Sequence, residues 1–94
     1  MDQRRNWKEK LTSRLETSGE SLPLQPLLEL CADRRIWIEN HNGVRTYTPE
    51  EIRVSVRFGC LRILGTGLKL CRMEGRILVI TGRIQSIHIQ KEGV

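Results

Sequence analysis

Aromatic side chains are scarce, with two Trp, one Tyr and one Phe in the chain. Sheets that hold single-stranded nucleic acid stack bases on aromatic rings, and Phe58 here belongs to an apolar face, so the main ingredient of such a site is missing. Cysteines number three (Cys31, Cys60, Cys71), none in CxxC spacing, and the only histidines are His41 and His88. Structural zinc sites draw on paired ligands at short, regular separations. This set offers none, so no metal is expected, and the cysteines read as buried free thiols in a reducing cytosol. No apolar run approaches the roughly 18 residues of a membrane-spanning helix. Met1 to Trp7 hold no apolar stretch of the kind a signal peptide carries. The expectation is a cytoplasmic chain whose membrane contact is peripheral at most.

Catalytic groupings are equally thin. Cys60, Cys71, His41 and His88 fall in no recognised nucleophile–base motif. Glu50 and Glu51 are adjacent, and adjacent strand residues point to opposite faces, which suits a turn or a solvated surface better than an acid–base pair. Gly65-Thr66-Gly67 with Lys69 lacks the glycine spacing, the Lys-Ser/Thr pair and the following helix of a phosphate loop. The chain is therefore expected to be no enzyme, with no catalytic residues and no cofactor.

What is present is charge and a beat of glycines. A composition of 38% hydrophobic and 29% charged residues fits a folded globular domain and not a disordered one. The net charge of +5 is uneven. Residues 1–33 hold five basic and six acidic side chains, residues 34–94 eleven basic and five acidic. The second part therefore carries the basic excess. Arg53, Arg57, Arg62, Lys69, Arg72, Arg76 and Arg83 could line one face of a sheet and meet phosphates, or could be a solvated surface that discourages edge-to-edge aggregation.

Residues 1–21 read as a helical arm. Trp7, Leu11 and Leu15 make one narrow apolar stripe at helical spacing, with Arg4, Arg5, Lys8, Lys10 and Arg14 around it. Three apolar residues cannot hold such a helix in water by themselves, so the stripe is a candidate partner-binding surface. Gly19, Pro23 and Pro26 end the arm. Leu22 to Leu30 reads as a buried crossing segment with a helical turn at Leu27–Cys31.

Residues 22–94 read as a β domain, with period 2 from Arg35 onward. Asn42-Gly43 is a two-residue hairpin signal, since a type I′ turn needs positive φ at both central positions. Thr48-Pro49-Glu50-Glu51 matches a helical capping box, but Ile52, Val54, Val56 and Phe58 then alternate strictly with Arg53, Ser55 and Arg57. Alternating β-branched residues outweigh the cap signature, so a tight turn and then a strand are expected. Gly59, Gly67, Gly75 and Gly82 recur at near-regular intervals, each expected at a turn between short strands. The expected fold is mainly β, an antiparallel meander of about seven short strands, with a small β-solenoid as the alternative and an N-terminal α-helix. Ile77-Leu78-Val79-Ile80 is apolar at every position, which requires cover on both faces. So short a chain struggles to supply that cover, which points to a homo-oligomer.

Arg35 to Val44 resembles the "x-I-x-I-E-N-H-x-G-[IV]" block of the YabP/YqfC family of sporulation proteins. Glu50-Glu51-Ile52-Arg53-Val54 is similar to that family's "[ED]-E-I-R-[VLI]" strand. Gly59 to Leu70 resembles its "G-x-L-x-I-x-G-x-x-L-x-[IL]" passage, and Ile80 to Ile89 its last block, "I-x-G-x-I-x-S-I-x-[IYF]". The similarity covers roughly residues 22–90, and Ile38-Glu39-Asn40-His41 brings it closer to the YqfC branch. Where family members often have a proline-started strand before this block, the chain has Cys31-Ala32-Asp33-Arg34. The resemblance implies a protein of the mother cell in endospore-forming bacteria, cytoplasmic or peripheral at the forespore membrane, acting beside a membrane-embedded sporulation protein. It implies no catalytic residue. The resulting expectation is a non-enzymatic structural or scaffolding factor, with Trp7, Leu11, Leu15, Trp37, Arg53, Arg57 and Arg62 as candidate partner-binding residues. A basic nucleic-acid-binding module and a peripheral membrane adaptor using the Trp7 helix are the alternatives.

Overall fold

A computed structural model of the chain describes residues 25–92. The helical arm expected over residues 1–21, with Trp7, Leu11 and Leu15, lies outside the described residues.

Six strands form one antiparallel sheet: β1 (Leu27–Cys31), β2 (Arg35–Glu39), β3 (Val44–Tyr47), β4 (Glu51–Val56), β5 (Gly59–Glu74) and β6 (Ile77–Lys91), in the order β1-β2-β6-β5-β4-β3. From β3 to β6 the sheet is a meander, and the β1–β2 hairpin joins on the far side of β6. The solenoid alternative fails because every pair of described strands is antiparallel, whereas stacked solenoid coils pair in parallel. Among the described residues the strand count is six, and not the expected seven or so, because β5 and β6 are single strands of 16 and 15 residues.

These two strands bend instead of ending. Around Gly65 and Gly67 the register of β5 slips against β6, between Leu64 and Gly65 and again between Thr66 and Lys69. A Cβ on Gly65 would run into the backbone carbonyl of Arg83. Gly82 has φ +135, and a Cβ there would lie 2.6 Å from the carbonyl oxygen of Gly67. The two strands can cross this closely only where side chains are missing. Gly67 and Gly82, expected at turns, thus sit at the bends of continuous strands. Of Gly59, Gly67, Gly75 and Gly82, only Gly75 is in a hairpin turn, between β5 and β6, and Gly59 follows the Arg57-Phe58 turn as the first residue of β5.

Each bend is held by the turn of a neighbouring hairpin. The N–H of Gly65 donates to the Glu50 carbonyl (3.1 Å) and that of Leu68 to the Pro49 carbonyl (2.8 Å). On the other side, the N–H of Gly82 donates to Arg34 (3.1 Å) and that of Ile84 to Asp33 (2.8 Å). The Thr48–Glu51 turn is itself closed locally. The Thr48 hydroxyl oxygen accepts the N–H of Glu51 at 2.9 Å, as in a helix cap, but the chain continues as a strand.

The bends divide the sheet into two halves. One holds β1, β2, the start of β6 and the end of β5; the other holds β3, β4, the start of β5 and the end of β6. Their inner faces share one apolar cluster: Ile36, Ile38, Leu78 and Ile80 from the first, Ile52, Val54, Val56, Leu61 and Ile63 from the second, and Leu68 at the bend. Each fully buried aliphatic side chain of this kind contributes about 1.5–3 kcal/mol. Leu78, Val79 and Ile80 are all buried, as the uninterrupted apolar run requires. Val79 faces outward, between Trp37 on β2 and Arg72 on β5, so a single chain supplies the cover that sequence reasoning sought in an oligomer.

Two further expectations are corrected. Leu27–Cys31 is a strand, not a crossing segment with a helical turn, because Leu28 and Leu30 alternate with Leu27, Glu29 and Cys31 and fit opposite Ile38 and Ile36 of β2. Asn42-Gly43 is not a hairpin turn, since β2 pairs with β1 and β6 while β3 pairs with β4. Gly43 has positive φ (116°), but Asn40 (63°) and not Asn42 is the other left-handed residue of this link. The link carries the chain from one half to the other. It is tied to both by Asn40 N–H to the Arg76 carbonyl (2.9 Å) and by Asn42 N–H to the Ser55 carbonyl (2.7 Å).

Candidate interaction surface

On the outer face of the second half, in-register pairing sets Arg53 of β4 beside Arg62 of β5. Two like charges opposite each other repel, and Glu51 resolves the conflict. Its Oε2 accepts the Nε–H of Arg62 and of Arg53, each at 2.7 Å. The Arg62 hydrogen bond, then that of Arg53, holds the Glu51 carboxyl below its ordinary value of 4.5, against a smaller opposing effect of burial.

Arg45 extends the cluster onto β3. Its Nε donates to the Ser55 hydroxyl (2.6 Å), while Nη1 and Nη2 donate to the two carboxylate oxygens of Glu92 (2.6 and 2.7 Å). This fork-to-fork geometry is the strong form of the Arg–carboxylate pair. Val44 packs toward the core opposite Val54, so alternation along β3 turns Arg45 to this side. Cys60, in register with Ser55, is 1% exposed and belongs to the same face.

Of the candidate residues, Arg53 and Arg62 come together here. Arg57 sits in the β4–β5 turn, and Trp37 lies on the outer face of the other half, where its Nε1–H donates to Glu39 Oε2 at 2.7 Å. The remaining cations are scattered. Lys69 and Arg72 belong to the first half and Arg76 to the β5–β6 turn. Arg72 pairs with Glu74 at 2.8 Å. No single basic stripe forms among the described residues.

Sequence reasoning missed Arg45 and Glu92, which no local pattern connects, and Ser86, whose Oγ lies 3.2 Å from His88 Nε2 on the exposed end of β6. Spacing of two on a strand is the signal that could have paired Ser86 with His88. His41 is 7% exposed; its Nδ1 accepts the Gly43 N–H at 3.0 Å and its ring spans the link between the halves. Cys60 is buried as expected, but Cys31 and Cys71 are exposed. No group of His, Cys, Asp and Glu among the described residues could hold a metal ion. No helix among them is long and apolar enough to cross a membrane.

Neither the curated proteins nor the solved structures contain a match to this chain. One family model does match, over residues 24–94. That span takes in all six strands, both bends and the Asn40–Gly43 link. The chain belongs to the YabP family.

Proposed function

We propose that the chain is a non-enzymatic structural factor of bacterial endospore formation, working in the mother cell by self-assembly and by contact with a membrane-embedded sporulation partner. Membership of the YabP family suggests a sporulation-related role, and the match over residues 24–94 is the observation that carries the reading. The Ile38-Glu39-Asn40-His41 string supports placing it in the YqfC branch. A non-catalytic role is supported by how the candidate chemistry is engaged: His41 braces a backbone link and Cys60 is buried beneath a surface ion-pair cluster. Partner contact is assigned to the Trp7, Leu11 and Leu15 stripe and to the Arg45, Arg53 and Arg62 surface, with the protein cytoplasmic or peripheral at the forespore membrane.

Deleting the gene in an endospore-forming bacterium should lower the yield of heat-resistant spores, and the intact chain supplied from the mother cell should restore it. Normal spores from the deletion strain would remove the sporulation role. Trp7→Ala should weaken co-purification with the membrane fraction of sporulating cells; unchanged recovery would take the arm out of the contact.

A further inference from the structure

The bend leaves the described sheet with four free strand edges: β1, β3, the Lys69–Glu74 part of β5 and the Ser86–Lys91 part of β6, beyond the bulge at Gln85. Exposed edges invite pairing with another chain, and native proteins blunt them with short strands, proline, bulges or covering groups. Three of these edges are blunted. β1 has 5 residues and follows Pro26, and β3 has 4 residues and a bulge. The β5 edge is bulged between Leu70 and Arg72, and its Leu70 N–H is taken by the Tyr47 hydroxyl at 3.1 Å.

The β6 edge has none of these features. Its register with β5 is uninterrupted from Ser86 to Lys91, with no proline, glycine or bulge. Ile89, on the inner face of this edge, is 66% exposed, more than Leu30, Tyr47 or Met73. We infer that this edge is where the chain pairs with a second copy of itself, antiparallel about a two-fold axis at His88. This deepens the self-assembly reading above and rests on it.

The occupant follows from the strand's own side chains. With His88 on the axis, Ile87 of each copy faces Ile89 of the other and Ser86 faces Gln90, so apolar meets apolar on the inner face and polar meets polar on the outer. Lys91 faces Gln85. The neighbouring same-face register, centred on Ile87, would instead set Ile89 against the bulged Gln85, outside the regular part of the strand. Backbone pairing joins β3-β4-β5-β6 of the two copies into one continuous sheet and covers Ile89, the most exposed large apolar side chain among the described residues. So narrow a contact belongs to the small class of interfaces, below about 1,200 Å² in total.

Sedimentation of the full chain and two exposed-site variants, His88→Glu and His88→Lys, tests this, with far-UV circular dichroism confirming that each stays folded. The native chain should dimerise. Each variant alone sets like charges opposite each other on the axis and should associate about tenfold or more weakly. An equimolar mixture of the two should recover the dimer, because Glu then faces Lys. A native chain that stays monomeric would overturn self-assembly itself. An assembling native chain whose variants assemble equally well would leave self-assembly standing and overturn the β6 edge. Weakened variants whose mixture fails to recover would overturn the two-fold pairing at His88.

Discussion

Arg45 and Glu92 lie 2.6 Å apart although 47 positions separate them, and their pairing ties β3 to the residue that follows β6. The Arg45 hydrogen bond holds the Glu92 carboxyl below its ordinary value, as Arg62 and Arg53 hold that of Glu51. A carboxyl whose folded value is depressed binds protons more readily in the unfolded chain. Its contribution to stability is complete above the ordinary value of 4.5 and is lost as pH falls through the folded value. The urea midpoint should therefore drop between about pH 5 and about pH 3, and Glu92→Gln should flatten part of that drop. Equal slopes for native and variant would show that the pair contributes nothing.

The bends make a sharper claim about glycine. Gly65 and Gly75 are both single glycines in the long hairpin, but a Cβ on Gly65 meets the Arg83 carbonyl while one on Gly75, at φ +59, meets nothing within 4 Å. Gly75→Ala should cost about 1 kcal/mol, the strain of a left-handed residue with a side chain. Gly65→Ala must push two strands apart and should cost more than about 3 kcal/mol or prevent folding. Urea denaturation of both separates the two effects, and equal costs would contradict the close crossing.

His41 does the work of an Asx turn, its Nδ1 accepting the N–H two residues on. Its Nε2 is buried with no hydrogen-bond partner among the described residues. His41→Ala removes the acceptor and the packing and should cost about 2–3 kcal/mol. His41→Asn keeps a side-chain acceptor for Gly43 and should recover part of the loss. An Ala variant as stable as the native chain would remove the brace.

Thiol labelling of the reduced native chain should be biphasic. Cys31 and Cys71 are exposed and Cys60 is buried, so two thiols should react quickly and the third only at the rate of opening or unfolding. Cys60→Ala should remove the slow phase alone. Three equally fast thiols would contradict the covered face around Arg45.

Much of the fold was legible because it depends on neighbours in the chain. The alternation of Ile52, Val54 and Val56 marks β4 and its buried face, and Thr48-Pro49 and Glu74-Gly75 mark real turns. The bends at Gly67 and Gly82 were misread as turns because glycine relieves steric crowding in both settings. Only the distant partners, the Thr48–Glu51 and Ala32–Arg34 turns, decide that the strand continues. Asn42-Gly43 misled for a related reason, since β2 has its apolar register with β6 and not with β3. At the surface, Arg53 and Arg62 were named, but their union on Glu51 comes from cross-strand register, which residue spacing does not encode. Trp37, grouped with them from sequence, lies on the other half.

Self-assembly is the central claim, and the two-face cover achieved by one folded sheet means that it now rests on the β6 edge. Light scattering of the purified full chain over a concentration series measures it directly. The account predicts a mass that rises above the 10.9 kDa of a single chain toward twice that value. A mass that holds at the single-chain value at the highest concentration reached would contradict it.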